Sequence, residues 1–172
     1  MIKEATLNEC EVLVKIIRNS FRDVARRFAL TKDNCQKHPS NCTSSWIESD
    51  IARGVQYFIL YADENPIGCV AMEKPSAAVC YLERLSVLPE MRGNHFGIRF
   101  VQHALKCAAS KGTRKVSIGI IDEQTELKEW YKQIGFVEMQ KKSFQHLPFT
   151  VCIMEYDLEN SANYAFYSDG HK

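Results

Sequence analysis

Val79-Cys80-Tyr81-Leu82-Glu83-Arg84-Leu85-Ser86-Val87-Leu88 runs without a linker into Pro89-Glu90-Met91-Arg92-Gly93-Asn94-His95-Phe96-Gly97, after which Ile98, Val101, Ala104, Leu105 and Ala108 recur at helical spacing. The first ten residues alternate as a strand does. Val79, Tyr81, Glu83, Leu85 and Val87 fall on one face and Cys80, Leu82, Arg84, Ser86 and Leu88 on the other. Both faces carry apolar side chains, which predicts a central strand. The apolar stripe that follows predicts a long helix stopping near Gly112. A helix N-terminus presents unpaired N–H groups with about half a positive charge, so a strand, a glycine-bearing turn and a helix make a docking place for a phosphate. Gly93 and Gly97 give that turn backbone freedom, and Arg92 gives it a cation.

Upstream, Met1–Ala5 is a short edge-like segment, and Thr6 with Glu9 three residues on is a capping box for a helix carrying Val12, Leu13, Ile16, Ile17 and Phe21 to about Asn19–Arg22. Residues 23–43 are turn-rich, and Ser44–Ala52 fits a short helix ending at Gly54. Val55–Ala62, the turn Asp63-Glu64-Asn65-Pro66 and Ile67–Met72 predict a β-hairpin. Downstream, Lys115–Ile121 is a short apolar strand, and Glu123–Ile134 is a helix with Leu127, Trp130, Tyr131 and Ile134 inward and Gly135 as its stop. Phe136–Met139 and Phe149–Tyr156 close the chain as a hairpin whose edge is a candidate dimer contact. An antiparallel meander followed by one strand–helix–strand crossover gives an α/β protein: a single mixed, mostly antiparallel sheet flanked by helices on both faces.

The 172 residues suit one domain, placed at 1–158 and followed by a tail, 159–172, that has no periodicity and is expected to be poorly ordered. Lys and Arg number 22 against 21 Asp and Glu, so the net charge of +1 argues against a general nucleic-acid binder. Residues 83–115 nevertheless hold seven basic residues (84, 92, 99, 106, 111, 114 and 115) against Glu83 and Glu90, a local surplus around the phosphate turn. No segment has the apolar length of a signal peptide or a membrane span, so a cytoplasmic protein without membrane contact is expected. Seven cysteines without CxxC pairs are read as reduced, packed thiols. Cys35, His38 and Cys42 match no common zinc spacing, and no metal is expected.

Two common nucleotide motifs are absent. No phosphate loop ends in Gly-Lys-Ser/Thr, and no Gly-x-Gly-x-x-Gly follows the first strand of a repeated β-α-β unit. Instead, Tyr81 to Gly97 resembles the acetyl-coenzyme A motif of the GNAT N-acetyltransferases, whose turn is written Arg/Gln-x-x-Gly-x-Gly/Ala. Glu129-Trp130-Tyr131-Lys132-Gln133-Ile134-Gly135-Phe136 resembles their second mark, a helix ending in Tyr-x-x-x-Gly-Phe. The likeness spans roughly residues 1–158 and is tightest over 79–136. It departs from the family at His95, where a glycine usually stands, and at Gln124, where the second motif usually opens with Asn.

The resemblance implies acetyl transfer from acetyl-coenzyme A (acetyl-CoA), the co-substrate, to a primary amine on a small molecule or a protein, by direct attack in a ternary complex. It implies that the backbone of Leu85, Ser86 and Val87 bonds the pantetheine arm like an added strand, with an N–H there facing the acetyl carbonyl. The pyrophosphate would rest on Arg92, Gly93, Asn94, His95, Phe96, Gly97 and Ile98, with Gln124 offering a side-chain amide. Tyr131 matches the family's general acid, and Glu83 stands where several members carry a base. The competing expectation is a coenzyme A-binding or regulatory module of the same fold that has lost turnover, prompted by His95 and Gln124.

Overall fold

The computed structural model describes residues 1–159, so the expectation for the tail at 160–172 lies outside the described residues. The Thr6–Glu9 capping box is formed. The Thr6 hydroxyl accepts from the Asn8 N–H at 3.3 Å, and the Glu9 carboxylate accepts from the Thr6 N–H at 2.7 Å. One 3₁₀ turn then leads into α1 (Cys10–Arg27). This helix runs past the predicted stop at Asn19–Arg22, because Val24 and Phe28 have their own apolar partners in Leu30, Cys35, Ile121 and Phe149. The second helix, α2 (Ser44–Ala52), falls where the sequence places it.

Seven strands follow one another as β1 (Ile2–Glu4), β2 (Gln56–Ala62), β3 (Asn65–Glu73), β4 (Val79–Val87), β5 (Lys115–Ile121), β6 (Val137–Ser143) and β7 (Thr150–Asp157). Two further helices, α3 (Phe96–Ser110) and α4 (Thr125–Ile134), connect β4 to β5 and β5 to β6. Across the sheet the order is β1-β2-β3-β4-β5-β7-β6, antiparallel throughout except between β4 and β5. On one face Phe100, Val101, Ala104 and Leu105 of α3 pack with Phe58, Val70, Met72 and Leu82 of the strands. On the other, Leu13, Ile16 and Ile17 of α1 and Ile47 of α2 cover Tyr57, Ile59, Cys69 and Ala71. The mixed sheet with helices on both faces is the architecture the sequence predicts.

The regular alternation expected along β4 does not hold. Cys69 lies opposite Ser86 and Ala71 opposite Glu83, so two steps on β3 face three on β4, and Arg84 has φ +50°. This is a β-bulge. Before it Cys80 and Leu82 face α3, whereas after it Leu85 and Val87 pack on that side. Glu83 and Arg84, expected on opposite faces, both line the cleft, and the Arg84 side chain reaches α2 to pair with Asp50.

All seven cysteines are free thiols, six of them buried and Cys107 half-buried. Burial pushes the Cys69 thiol up to about 12. No helix among the described residues is long and apolar enough to cross a membrane. At the sheet's outer edge β6 exposes Val137 and Met139.

Gly68 lets β3 and β4 meet under α3. A Cβ there would stand 2.5 Å from the Ser86 carbonyl oxygen and 2.8 Å from the Phe100 ring. Gly68→Ala is expected to cost about 2–3 kcal/mol, because neither backbone nor a buried ring yields cheaply. Urea unfolding monitored by circular dichroism measures that loss.

Candidate active site

Parallel pairing of β4 with β5 covers Val79, Cys80 and Tyr81 against Lys115, Val116 and Ser117 and goes no further. Beyond it β5 stays paired with β7 through Ile121, while β4 leans on β3. The two strands therefore splay, and among the described residues the β5-facing edge of β4 has no ladder partner from Leu82 to Val87. An unpaired strand edge offers N–H and C=O groups to anything that lies along it. The gap opens into a cleft of about 1310 Å³. Its walls are Leu82 to Leu85 and Val87 on one side and Ile118 to Ile121 on the other, with α4 across one end and α1 over the top.

The turn after β4 reaches α3 through two left-handed residues, Gly93 (φ +80°) and His95 (φ +59°). His95, the N-cap, makes no side-chain cap, and as the first helical residues Phe96, Gly97 and Ile98 have no helical carbonyl to bond. All three residues line the cleft. Gly97 packs closely on α4, where a Cβ would come 3.3 Å from the Trp130 ring, so a larger residue there needs the ring to shift by a few tenths of an ångström.

Arg92 is not a free cation at this turn. Its guanidinium is ion-paired with Asp23 and donates to the Ser20 carbonyl at 2.7 Å and the Val87 carbonyl at 3.3 Å, tying the turn to α1. Much of the basic surplus around the turn is likewise spent. Arg84 pairs with Asp50, Lys115 with Glu155 and Arg114 with Glu159. The anion-binding capacity of the turn therefore rests on backbone N–H groups and the helix dipole.

Tyr131 is 4% exposed, and its hydroxyl hydrogen-bonds none of the described residues although it lines the cleft. The sequence mark around it is structural. Gly135 caps α4 in the left-handed region (φ +115°), the Phe136 N–H returns to the Tyr131 carbonyl at 3.1 Å, and the Phe136 ring stands edge-on to Tyr131 at 5.2 Å. Trp130 closes the other side at 4.8 Å. Burial pushes the phenol well above its ordinary value, so it keeps its proton at every working pH. Glu83 is half-buried on the opposite wall. Burial first, then the Glu73 and Asp50 carboxylates, raise its proton affinity against the opposing pull of Arg53.

Eleven of the thirteen residues predicted from sequence line this cleft: Glu83, Leu85, Val87, Arg92, Gly93, His95, Phe96, Gly97, Ile98, Gln124 and Tyr131. Two do not. The Ser86 side chain turns to the other face, where its hydroxyl donates to the Arg84 carbonyl at 2.9 Å, and Asn94 bonds back to the Met91 and Arg92 carbonyls at 3.1 and 3.2 Å. Gln124 is the N-cap residue of α4 without a side-chain cap bond.

Three further residues of the cleft wall are not among the site residues predicted from the sequence. Ser20 lines the cleft with a buried hydroxyl that has no hydrogen-bond partner among the described residues. His38, 6% exposed, accepts the Ser40 N–H on Nδ1 at 3.3 Å and packs edge-on against Phe21. Arg84, also on the wall, reaches back to Asp50 and Tyr57. Nothing nearby gathers a metal set. Among the described residues the potential ligand atoms within 4.8 Å of one another belong to Asp122, Glu138 and Cys152, away from Cys35, His38 and Cys42. Lys128, Lys132 and Lys141 already neutralise those carboxylates.

Burial lowers His38 from 6.5 to about 4, so the folded protein holds it neutral where the unfolded chain takes up a proton. Its contribution is complete above pH 6.5 and is lost as pH falls toward 4, by up to about 3 kcal/mol. His38→Asn keeps an acceptor near Nδ1 and does not titrate. Urea unfolding from pH 7.5 to 4.5 is expected to show a shallower acid loss in that variant than in the parent.

No curated protein sequence matches the chain. Among solved structures, the PaiA N-acetyltransferase of Thermoplasma acidophilum in complex with coenzyme A superposes with a TM-score of 0.74 at 16% identity, over 91% of this chain and 99% of that one. The ribosomal-protein-S18-alanine N-acetyltransferase of Escherichia coli gives 0.71 at 11% identity, over 92% and 93%. A GNAT family acetyltransferase from Elizabethkingia anophelis with acetyl-CoA bound gives 0.58 at 12% identity, over 67% and 83%. These likenesses concern the fold. The sequence model of the acetyltransferase (GNAT) family matches residues 19–136, from the second half of α1 through the Tyr131-to-Phe136 mark, and the chain belongs to that family.

Proposed function

We propose that the protein moves an acetyl group from acetyl-CoA to a primary amine, on a small molecule or a protein, by direct attack in a ternary complex. The observation that carries this is the unpartnered edge of β4, which opens between a helix N-terminus and the hydroxyl of Tyr131. A pantetheine arm bearing amides suits such an edge, and its pyrophosphate suits the N–H groups of Gly93 to Ile98. His95 holds a left-handed conformation of the kind glycine adopts most readily, so a glycine is not needed there for the turn to form.

Attack forms a C–N bond at the thioester carbonyl and then breaks the C–S bond. Glu83 takes the proton from the amine, directly or through water, and its raised proton affinity suits that task. The Leu85 N–H stabilises the oxyanion. Tyr131 delivers its proton to the departing sulfur, and burial desolvates acid and thiolate alike. The products are an N-acetyl amide and free coenzyme A, after which proton exchange with solvent resets both residues.

Calorimetry with acetyl-CoA, followed by thiol release over a panel of amines, tests this assignment. Binding with thiol release from at least one amine supports it; binding without release from any amine favours a module that only holds the coenzyme. With a competent amine, Tyr131→Phe is expected to lower kcat on the order of 10²-fold with KM for acetyl-CoA little changed. Because the base works ionised and Glu83 is raised, the acid limb of kcat/KM is expected above pH 4.5, and Glu83→Gln removes that limb.

A further inference from the structure

The strained residue of the β4 bulge is also the one whose side chain is most firmly held. Arg84 sits at φ +50°, a region that an L residue other than Gly, Asn or Asp seldom occupies without support. Its guanidinium meets the carboxylate of Asp50 from α2 and the hydroxyl of Tyr57 from β2, and stands 5.8 Å from the Tyr57 ring centre. Tyr57 in turn donates to Asp50 Oδ2 at 2.6 Å, and Arg53 donates to Oδ1 at 2.8 Å. Asp50 and Tyr57 are 6% and 0% exposed, so this is a desolvated charged cluster in which both oxygens of the carboxylate are aimed at donors.

The next peptide is fixed as well. Its carbonyl, on Arg84, accepts from the hydroxyl of Ser86, a buried residue that is not part of the cleft lining. In a planar trans peptide the Leu85 N–H points opposite to that carbonyl, and Leu85 lines the cleft. A buried ion pair between residues 34 apart is a poor source of stability by itself, because desolvation offsets most of the attraction. Its place beside a backbone that must hold an unfavoured conformation gives it a different use.

We propose that Asp50, Tyr57 and Arg84 form a positioning clamp: by gripping the Arg84 guanidinium they hold the β4 bulge left-handed, and so aim the Leu85 N–H at the place where the oxyanion forms. The clamp rests on the acetyl-transfer function proposed above only for what the N–H is aimed at. The geometric part stands apart from turnover.

The test combines Asp50→Asn, Arg84→Gly and the double variant. Glycine holds a positive φ unaided, so in the Arg84→Gly background the bulge no longer needs the clamp. Backbone chemical shifts of labelled protein report whether residue 84 is left-handed, and steady-state kinetics with a competent amine report its consequence. Asp50→Asn alone is expected to move residue 84 out of the left-handed region and to lower kcat by ~10–100-fold, within the range of a misaimed oxyanion donor, with KM for acetyl-CoA within about twofold. In the Arg84→Gly background the same substitution is expected to change kcat less than about threefold, a non-additive cycle. The clamp is overturned if Asp50→Asn leaves the shifts of residue 84 unchanged, or if its effect on kcat is as large in the Arg84→Gly background as in the parent. Should Asp50→Asn not fold, Tyr57→Phe removes one grip and is expected to move shifts and kcat in the same direction by a smaller amount; no movement overturns the clamp equally. Absence of turnover in the parent would remove the acetyl-transfer function, while the shifts would still decide the clamp.

Discussion

Parallel pairing between β4 and β5 lasts for three residue pairs and then stops, and most of what surrounds the cleft exists to keep it stopped. Two strands brought together at one end would ordinarily continue pairing, since each unmade backbone bond in a dry interior costs about 1–3 kcal/mol. Here the bulge at Arg84 twists β4 away toward β3, and the Tyr131 ring, backed by Trp130 and Phe136, stands at the end of the gap. Over the top, the last turns of α1 reach Ile121 through Val24, Leu30 and Cys35. The Arg27–Glu126 pair beside them, at 3.3 Å, lies in solvent where water and salt screen it, so apolar packing carries the bridge.

With the strands held apart, the proposed function leaves recognition of an anionic ligand to backbone groups. The arginines near the cleft are engaged inward, Arg92 by Asp23 and Arg84 by Asp50. Their work is to set the positions of the turn and the bulge, and the N–H groups so placed meet the ligand with fixed dipoles that need no rearrangement. The same economy explains why the Tyr-x-x-x-Gly-Phe mark can be read as packing. Gly135 lies against the Tyr156 ring, where a Cβ would be at 3.0 Å, and the stack of Tyr156, Phe136 and Tyr131 carries that fit to the cleft wall.

Local chemistry makes most of this fold legible in the sequence. The Thr6–Glu9 box, the Asp63-Glu64 turn, Gly135 and the apolar stripe of α3 each act over a few residues, and each stands where its pattern predicts. The bulge is hidden because both faces of β4 carry apolar residues, so a one-residue slip leaves no mark on the alternation. The Asp50, Tyr57 and Arg84 cluster is hidden for another reason. Its members come from three elements, and an aspartate on a short helix looks like any solvated residue until the sheet is placed beneath it. Arg92 is legible as a member of the turn, but the partner that occupies it, Asp23, lies 69 residues away and cannot be paired with it by spacing.

The distribution of thiols gives the molecule internal reporters of its own opening. Cys10, Cys42 and Cys69 lie in the core under α1 and α2, whereas Cys80 and Cys152 lie in the core under α3 and α4. Burial raises each of them above an ordinary thiol, so a thiolate-seeking reagent reaches them only when the covering layer lifts. Cys107, half-buried and 3.5 Å from His103 Nε2, is the one the reagent meets first. The rates at which the two buried sets react therefore separate breathing of the layer formed by α1 and α2 from breathing of the layer formed by α3 and α4.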